Sequence, residues 1–141
     1  MKVTVSRIDD AFHLESKTED GHVTYTDAGP ATGGHNLAMR PMQMVMSAMG
    51  SCSLIDVIFL LNKQRQPLEH VEVKMEGERR DEEPRVFTKI PLVYHCYGDG
   101  LVEKKVERAC RLSMEKMCSV SLMLKPSVDI TWGYEIHPAR T

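Results

Sequence analysis

The run 41-PMQMVMSAMGSCSLIDVIFLLNKQRQP-67 decides how the rest of the chain folds. Pro41 suits the first turn of a helix, where its missing N–H leaves no bond unmade, and Pro67 cannot continue one. Between them the spacing predicts one helix ending near Arg65. It is apolar nearly all round, interrupted by Gln43, Ser47, Gly50, Ser51, Ser53 and Asp56. Its length raises a membrane span, but a carboxylate is rarely tolerated inside a bilayer, and a buried core helix is expected instead. A helix of this kind must be covered nearly all round. A small domain has little material for that, so the helix is expected to be the shared core of a homodimer.

Outward from the helix the pattern changes period. On the N-terminal side, alternation in KVTVSRI (2–8), AFHLESK (11–17) and HVTYTD (22–27) predicts three short strands of an antiparallel meander, with turns at Asp9-Asp10 and Asp20-Gly21. AGPATGGHNLAMRP (28–41) is rich in Gly and Pro and reads as a loop; it lacks the GK[ST] ending of a phosphate-binding loop. On the C-terminal side, LEHVEVKMEGERR (68–80) and RVFTKIPLVYHCYG (85–98) form a long hairpin around DEEP. Then LVEKKVERACRLSMEKMCSV (101–120) sets Val102, Val106, Ala109, Cys110, Ser113 and Met117 at helical spacing, and SVDITWGYEIHP (127–138) closes the chain as a strand. The order predicts an α+β fold, three strands, helix, hairpin, helix, strand, with helices on one face of antiparallel sheet.

At 141 residues one domain spanning 1–141 is expected. The net charge of −2 is spread among interspersed acidic and basic residues, so neither nucleic acid nor an anionic membrane is an expected partner. The N-terminus lacks the apolar core of a signal peptide, which points to the cytoplasm. Cys52, Cys96, Cys110 and Cys118 form no CxxC, and in a reducing compartment they are free thiols.

Few patterns carry chemistry. His13, His22, His35, His70, His95 and His137 show no HxxxH or HExxH pair, so no metal site is predicted. Met39, Met42, Met44, Met46 and Met49 fit core packing, where flexible thioethers fill irregular gaps. Cys52, at the centre of the apolar helix, reads either as a small core residue or as a thiol reserved for an apolar oxidant. It stands about three turns in, beyond the reach of the helix dipole, so reactivity there requires an arginine or lysine from elsewhere. A histidine brought beside Cys52 would instead suit a Cys-His hydrolase.

Three segments, RPMQMVMSAMGSCSLIDVI, GERRDEEPRVFTKI and LSMEKMCSVSLML, together resemble the OsmC/Ohr family of thiol-dependent hydroperoxide reductases, most closely its YhfA-like branch. The likeness covers most of the chain: a Pro-led apolar helix with a cysteine eleven residues beyond Pro41, the charged hairpin with Pro84 and Phe87, and a second cysteine ending the later helix. It implies the OsmC-like order β-β-β-α-β-β-α-β and an intertwined homodimer with central cysteine-bearing helices. By the same likeness Cys52 is the peroxidatic cysteine, forming a sulfenic acid with an organic hydroperoxide, and Cys118 is the resolving cysteine that closes a disulfide. A dithiol or a lipoylated protein is the implied reductant, and no cofactor is implied. The family's thiolate-stabilising arginine comes from the early strands, where Arg7 matches by position; Arg40 and Arg80 are alternatives. Where active members carry a glutamate after the proline, this chain has Met42 and Gln43. Ser119 follows Cys118 where many members have proline. Cys96 and Cys110 match no motif and are expected in the core. Without competent cysteines, the alternative is a non-catalytic small-molecule-binding or structural homodimer of the same fold.

Overall fold

The computed structural model describes residues 1–140. Its strands and helices are β1 (Val3–Arg7), β2 (Leu14–Thr18), β3 (Val23–Thr26), α1 (Pro41–Lys63), β4 (His70–Met75), β5 (Glu78–Arg79), β6 (Phe87–Tyr97), α2 (Glu103–Leu112), α3 (Ser119–Leu124) and β7 (Asp129–His137). The α+β class and this order agree with the sequence pattern. Two compact units form, Met1–Ser47 and the chain from Ala48 onward, and α1 starts in the first and continues through the second.

In the first unit β1, β2 and β3 make the expected antiparallel meander, from Val3↔Thr18 to Arg7↔Leu14 and from Leu14↔Thr26 to Lys17↔Val23. Asp9 shapes the first turn, its Oδ1 accepting from the N–H groups of Ala11 (2.9 Å) and His13 (3.1 Å). The glycine-rich loop after β3 is folded around Asp27, whose carboxylate accepts from the amides of Ala28 (2.7 Å) and Leu37 (3.0 Å). The Leu37 bond outweighs burial and holds the Asp27 pKa below its usual value. This loop supplies its own anion, which accords with a connecting role.

In the second unit β6 is central, flanked by β4 and β5 on one side and β7 on the other. β4 and β5 run antiparallel to it, as expected. β7 does not: it pairs parallel with β6 from Lys89↔Asp129 to Tyr97↔His137. The cause is the connection, a helical crossover through α2 and α3 that returns the chain to the end where β6 began, whereas antiparallel neighbours can be joined by a tight turn.

One sheet face is covered by helices. Ile90, Tyr94 and Cys96 of β6 are wholly buried and Leu92 nearly so, along with Met49, Val57 and Leu61 of α1 and Val106, Ala109 and Cys110 of α2. Each such aliphatic side chain contributes about 1.5–3 kcal/mol by leaving water. Helix and sheet approach closely at Gly50, where a Cβ would lie 2.6 Å from Met75 Cε and 3.2 Å from Val73 Cγ1. By length and hydropathy α1 passes for a membrane span. Its buried stripe and the engaged carboxylate of Asp56 make it a core helix.

The single helix expected over 101–120 is interrupted. After α2 the chain makes a π-helical turn, Ser113–Met117, closed by Cys118 N–H donating to Ser113 O at 2.8 Å. Cys118 then takes extended backbone angles and starts α3, which the sequence pattern did not separate. Turns of this kind recur at functional sites because they re-aim the residues that follow.

Candidate active site: a thiol pair between two helices

Cys118 is the better-defined half of the site. It is wholly buried, and its Sγ accepts hydrogen bonds from Ser121 Oγ (3.0 Å) and Ser121 N (3.4 Å) while facing Met49 O at 3.8 Å. The sulfur thus caps α3, a role usually filled by oxygen. Cys52, from α1, is half-buried and lies close enough to the Cys118 thiol to shift its pKa. Burial pushes the Cys118 thiol up, the Ser121 hydroxyl and amide pull it back, and the neighbouring Cys52 thiol pushes it up again. The net direction is upward, so Cys118 rests as a thiol.

A polar network holds this geometry from behind. Ser53, next to Cys52 in sequence, is hydrogen-bonded to the Tyr94 hydroxyl of β6, and its Oγ lies 2.7 Å from Ser113 Oγ. Ser113 Oγ also donates to Asp56 Oδ2 at 3.0 Å. The network ties α1 to β6 and to the first residue of the π turn, whose last bond positions Cys118. It is closed: among the described residues no buried side-chain nitrogen or oxygen lacks a partner. Burial raises the Tyr94 pKa, keeping the phenol protonated and able to donate.

The other residues singled out by sequence occupy three places. Arg7 is exposed in β1. Arg40 and Gln43 come together at the start of α1, where Gln43 Oε1 accepts from Arg40 N–H at 2.9 Å and the Arg40 guanidinium donates to Ala38 O at 3.0 Å; this is the reach-back half of a capping box. Arg80 sits in the tip between β5 and β6, its Nε donating to the carbonyls of Glu82 (3.1 Å) and Pro84 (2.5 Å). Ser121 and the Ser53–Tyr94–Ser113–Asp56 network were missed by sequence reasoning. For Ser121 a signal existed, the three-residue step from Cys118 that matches a cap and its N3 donor. For the network there was none, because its members are separated by whole elements.

Across residues 33–133 the chain matches the family described as OsmC-like protein. It is 44% identical over 123 residues to Protein YhfA of Escherichia coli (strain K12), covering 81% of this chain and 92% of that protein. A solved hypothetical protein from Aquifex aeolicus VF5 is 30% identical with a TM-score of 0.84, covering 99% of this chain and 97% of the other. An organic hydroperoxide resistance protein OsmC from Legionella pneumophila superposes with a TM-score of 0.69 over 96% of this chain and 97% of that one; at 20% identity the likeness is one of fold.

Proposed function

From the premise that the chain belongs to the OsmC-like family, we propose that it reduces organic hydroperoxides through the Cys52–Cys118 pair. The observation that carries this is the nearness of two thiols from different helical segments, one half-buried and near enough to shift the pKa of the other, which is wholly buried. The name of the Legionella pneumophila relative supports the substrate class.

In the proposed cycle the Cys52 thiolate attacks the terminal oxygen of R–OOH. An S–O bond forms, the O–O bond breaks, and the alkoxide leaves as R–OH after taking a proton, giving Cys52 sulfenic acid. The Cys118 sulfur then attacks the sulfenic sulfur; the S–S bond forms and water departs. A dithiol, free or carried by a lipoylated protein, returns two electrons and two protons by exchange through a mixed disulfide. Arg7, Arg40 and Arg80 are the proposed sources of a cation beside the Cys52 thiolate, with Gln43 orienting the segment that bears Arg40. An apolar helix favours alkyl hydroperoxides over hydrogen peroxide, since only the former gain by leaving water.

The homodimer rests on α1. Ile55 (67% exposed), Ile58 and Phe59 lie on one stripe opposite Val57 and Leu61, left exposed among the described residues of one chain. A second copy supplying the same stripe would complete the core. Free thiols at all four cysteines suit the reducing cytoplasm.

Mass spectrometry after one equivalent of cumene hydroperoxide tests the cycle. A Cys52–Cys118 disulfide is expected in the wild type, with sulfenic or over-oxidised Cys52 in Cys118→Ser. Thiols left unchanged by excess peroxide would overturn the reading. They would favour the second one, a small-molecule-binding or structural dimer, to which Met42 and Gln43 in place of the family's glutamate point.

A further inference from the structure

The parallel register of β6 and β7 has a chemical result on the other side of the sheet. His95 lies opposite Glu135, and Tyr97 opposite His137. Because side chains alternate along a strand, these four leave the sheet away from buried Tyr94 and Cys96. There His95 Nδ1 is 2.9 Å from His137 Nε2 and 3.1 Å from Glu135 Oε2, and the remaining side of the triangle, His137 Nε2 to Glu135 Oε2, is 3.6 Å.

Protons satisfy this triangle poorly. If His95 Nδ1 carries a hydrogen toward Glu135, the His137 lone pair must share it. If His137 donates to His95 instead, a carboxylate oxygen faces the His95 ring nitrogen with no hydrogen between them. One cation among the three atoms satisfies every lone pair. The spacing suits it: bonds of about 2.05 Å set donor atoms about 2.9 Å apart at a right angle and about 3.6 Å apart at 120°.

We infer that His95, Glu135 and His137 form a binding site for a divalent transition-metal ion, zinc in the first instance, with two imidazoles and one carboxylate as ligands and a further position open. This donor set suits zinc and its neighbours in the first row and disfavours magnesium and calcium, which prefer oxygen. The ligands are held in advance. The two histidine rings stack with centroids 5.2 Å apart and planes at 15°, Tyr97 stacks on His137 at 4.6 Å, and the Tyr97 hydroxyl donates to Glu72 Oε1 at 3.3 Å. Glu72 is itself the β4 residue opposite His95. The His95 side chain is 14% exposed and that of Glu135 58%, so the site is walled on one side and open to an arriving ion on the other. The thiol pair lies among the helices on the core face, and the metal site belongs to the outer face; a bound ion would pin β7 to β6 rather than take part in sulfur chemistry. The absence of an HxxxH motif predicted no metal, but that motif presupposes a helix. Here two strands far apart in sequence do the same work through register.

Titration of the full-length, chelator-treated protein tests the site. Zinc chloride is expected to bind at one ion per chain by calorimetry. Cobalt(II) is expected to give the visible bands of nitrogen and oxygen ligation without sulfur-to-cobalt charge transfer. His95→Phe and His137→Phe should each weaken zinc binding by about 100-fold or more, and Glu135→Gln by about tenfold or more. Should a histidine variant fail to fold, as circular dichroism would report, the exposed Glu135→Gln carries the test alone. Three outcomes overturn the inference: no zinc uptake and no rise in Tm in roughly 100-fold excess of metal, cobalt spectra showing thiolate ligation, or zinc affinity unchanged in folded Glu135→Gln.

Discussion

The protein contains two pairs of neighbouring thiols, and they differ in what surrounds them. Cys96 of β6 and Cys110 of α2 are wholly buried neighbours, the Cys110 thiol holding the Cys96 pKa below its usual value. The Cys96 thiol and burial push the Cys110 thiol well up. Cys52 and Cys118 are also neighbours, but Cys118 takes two hydrogen bonds from Ser121, and Cys52 stands at the border between the buried and exposed stripes of α1. Proximity is common to both pairs. Each pair also offers a donor, the Cys110 thiol lowering the Cys96 pKa and Ser121 drawing that of Cys118 down against burial, but a route in from solvent belongs to the second alone.

The largest expected effect separates the pairs outright. Cys52→Ser is expected to lower hydroperoxide consumption to the rate without protein, whereas Cys96→Ala leaves it close to wild type; a peroxide-coupled colorimetric assay reads both. Equal losses would erase the distinction. Next comes alkylation of the native protein by iodoacetamide. Cys52 should react first, with Cys96 and Cys110 slower by about a thousandfold or more, since they wait on opening of the core. Peptide mapping over time gives the order, and early labelling of Cys96 would break the comparison.

Smaller effects sharpen it. Tyr94→Phe removes a partner from Ser53 within a closed buried network and is expected to cost about 1–3 kcal/mol in urea unfolding. Because the same network ends at Ser113, disulfide closure to Cys118 should slow with it. Last is pH. Burial raises the Cys118 pKa, so the side chain is a thiol below that value and a thiolate above it. Disulfide closure from the sulfenic acid should therefore speed up by at most about tenfold per pH unit and level off only above the range where a free thiol ionises. Quenched-flow mass spectrometry would contradict this with a plateau at lower pH.

Much of the fold was legible in the sequence. The meander, α1 between Pro41 and Lys63, and the long hairpin follow from two periodicities and from where proline and glycine interrupt them. The direction of β7 was not, since alternation marks a strand without saying which way its neighbour runs. Nor was the break at Ser113: Ser113, Met114 and Met117 continue a helical pattern, and what diverts the chain is the hydrogen bonding of Ser113 to Ser53 and Asp56 across the core. The site divides the same way. Residue patterns alone did not choose among four cysteines, and the resemblance that singled out Cys52 and Cys118 carried no word of Ser121 or Tyr94.

By itself the sequence determined most of the elements, the family and the apolar character of α1, because each is written in neighbours within a few residues of one another. Which thiols meet, which direction β7 takes and which three ligand atoms converge at His95, Glu135 and His137 were decided by tertiary structure. Those outcomes depend on register and crossover, which join residues as far apart as 52 and 118, and no local period records a distance of that length.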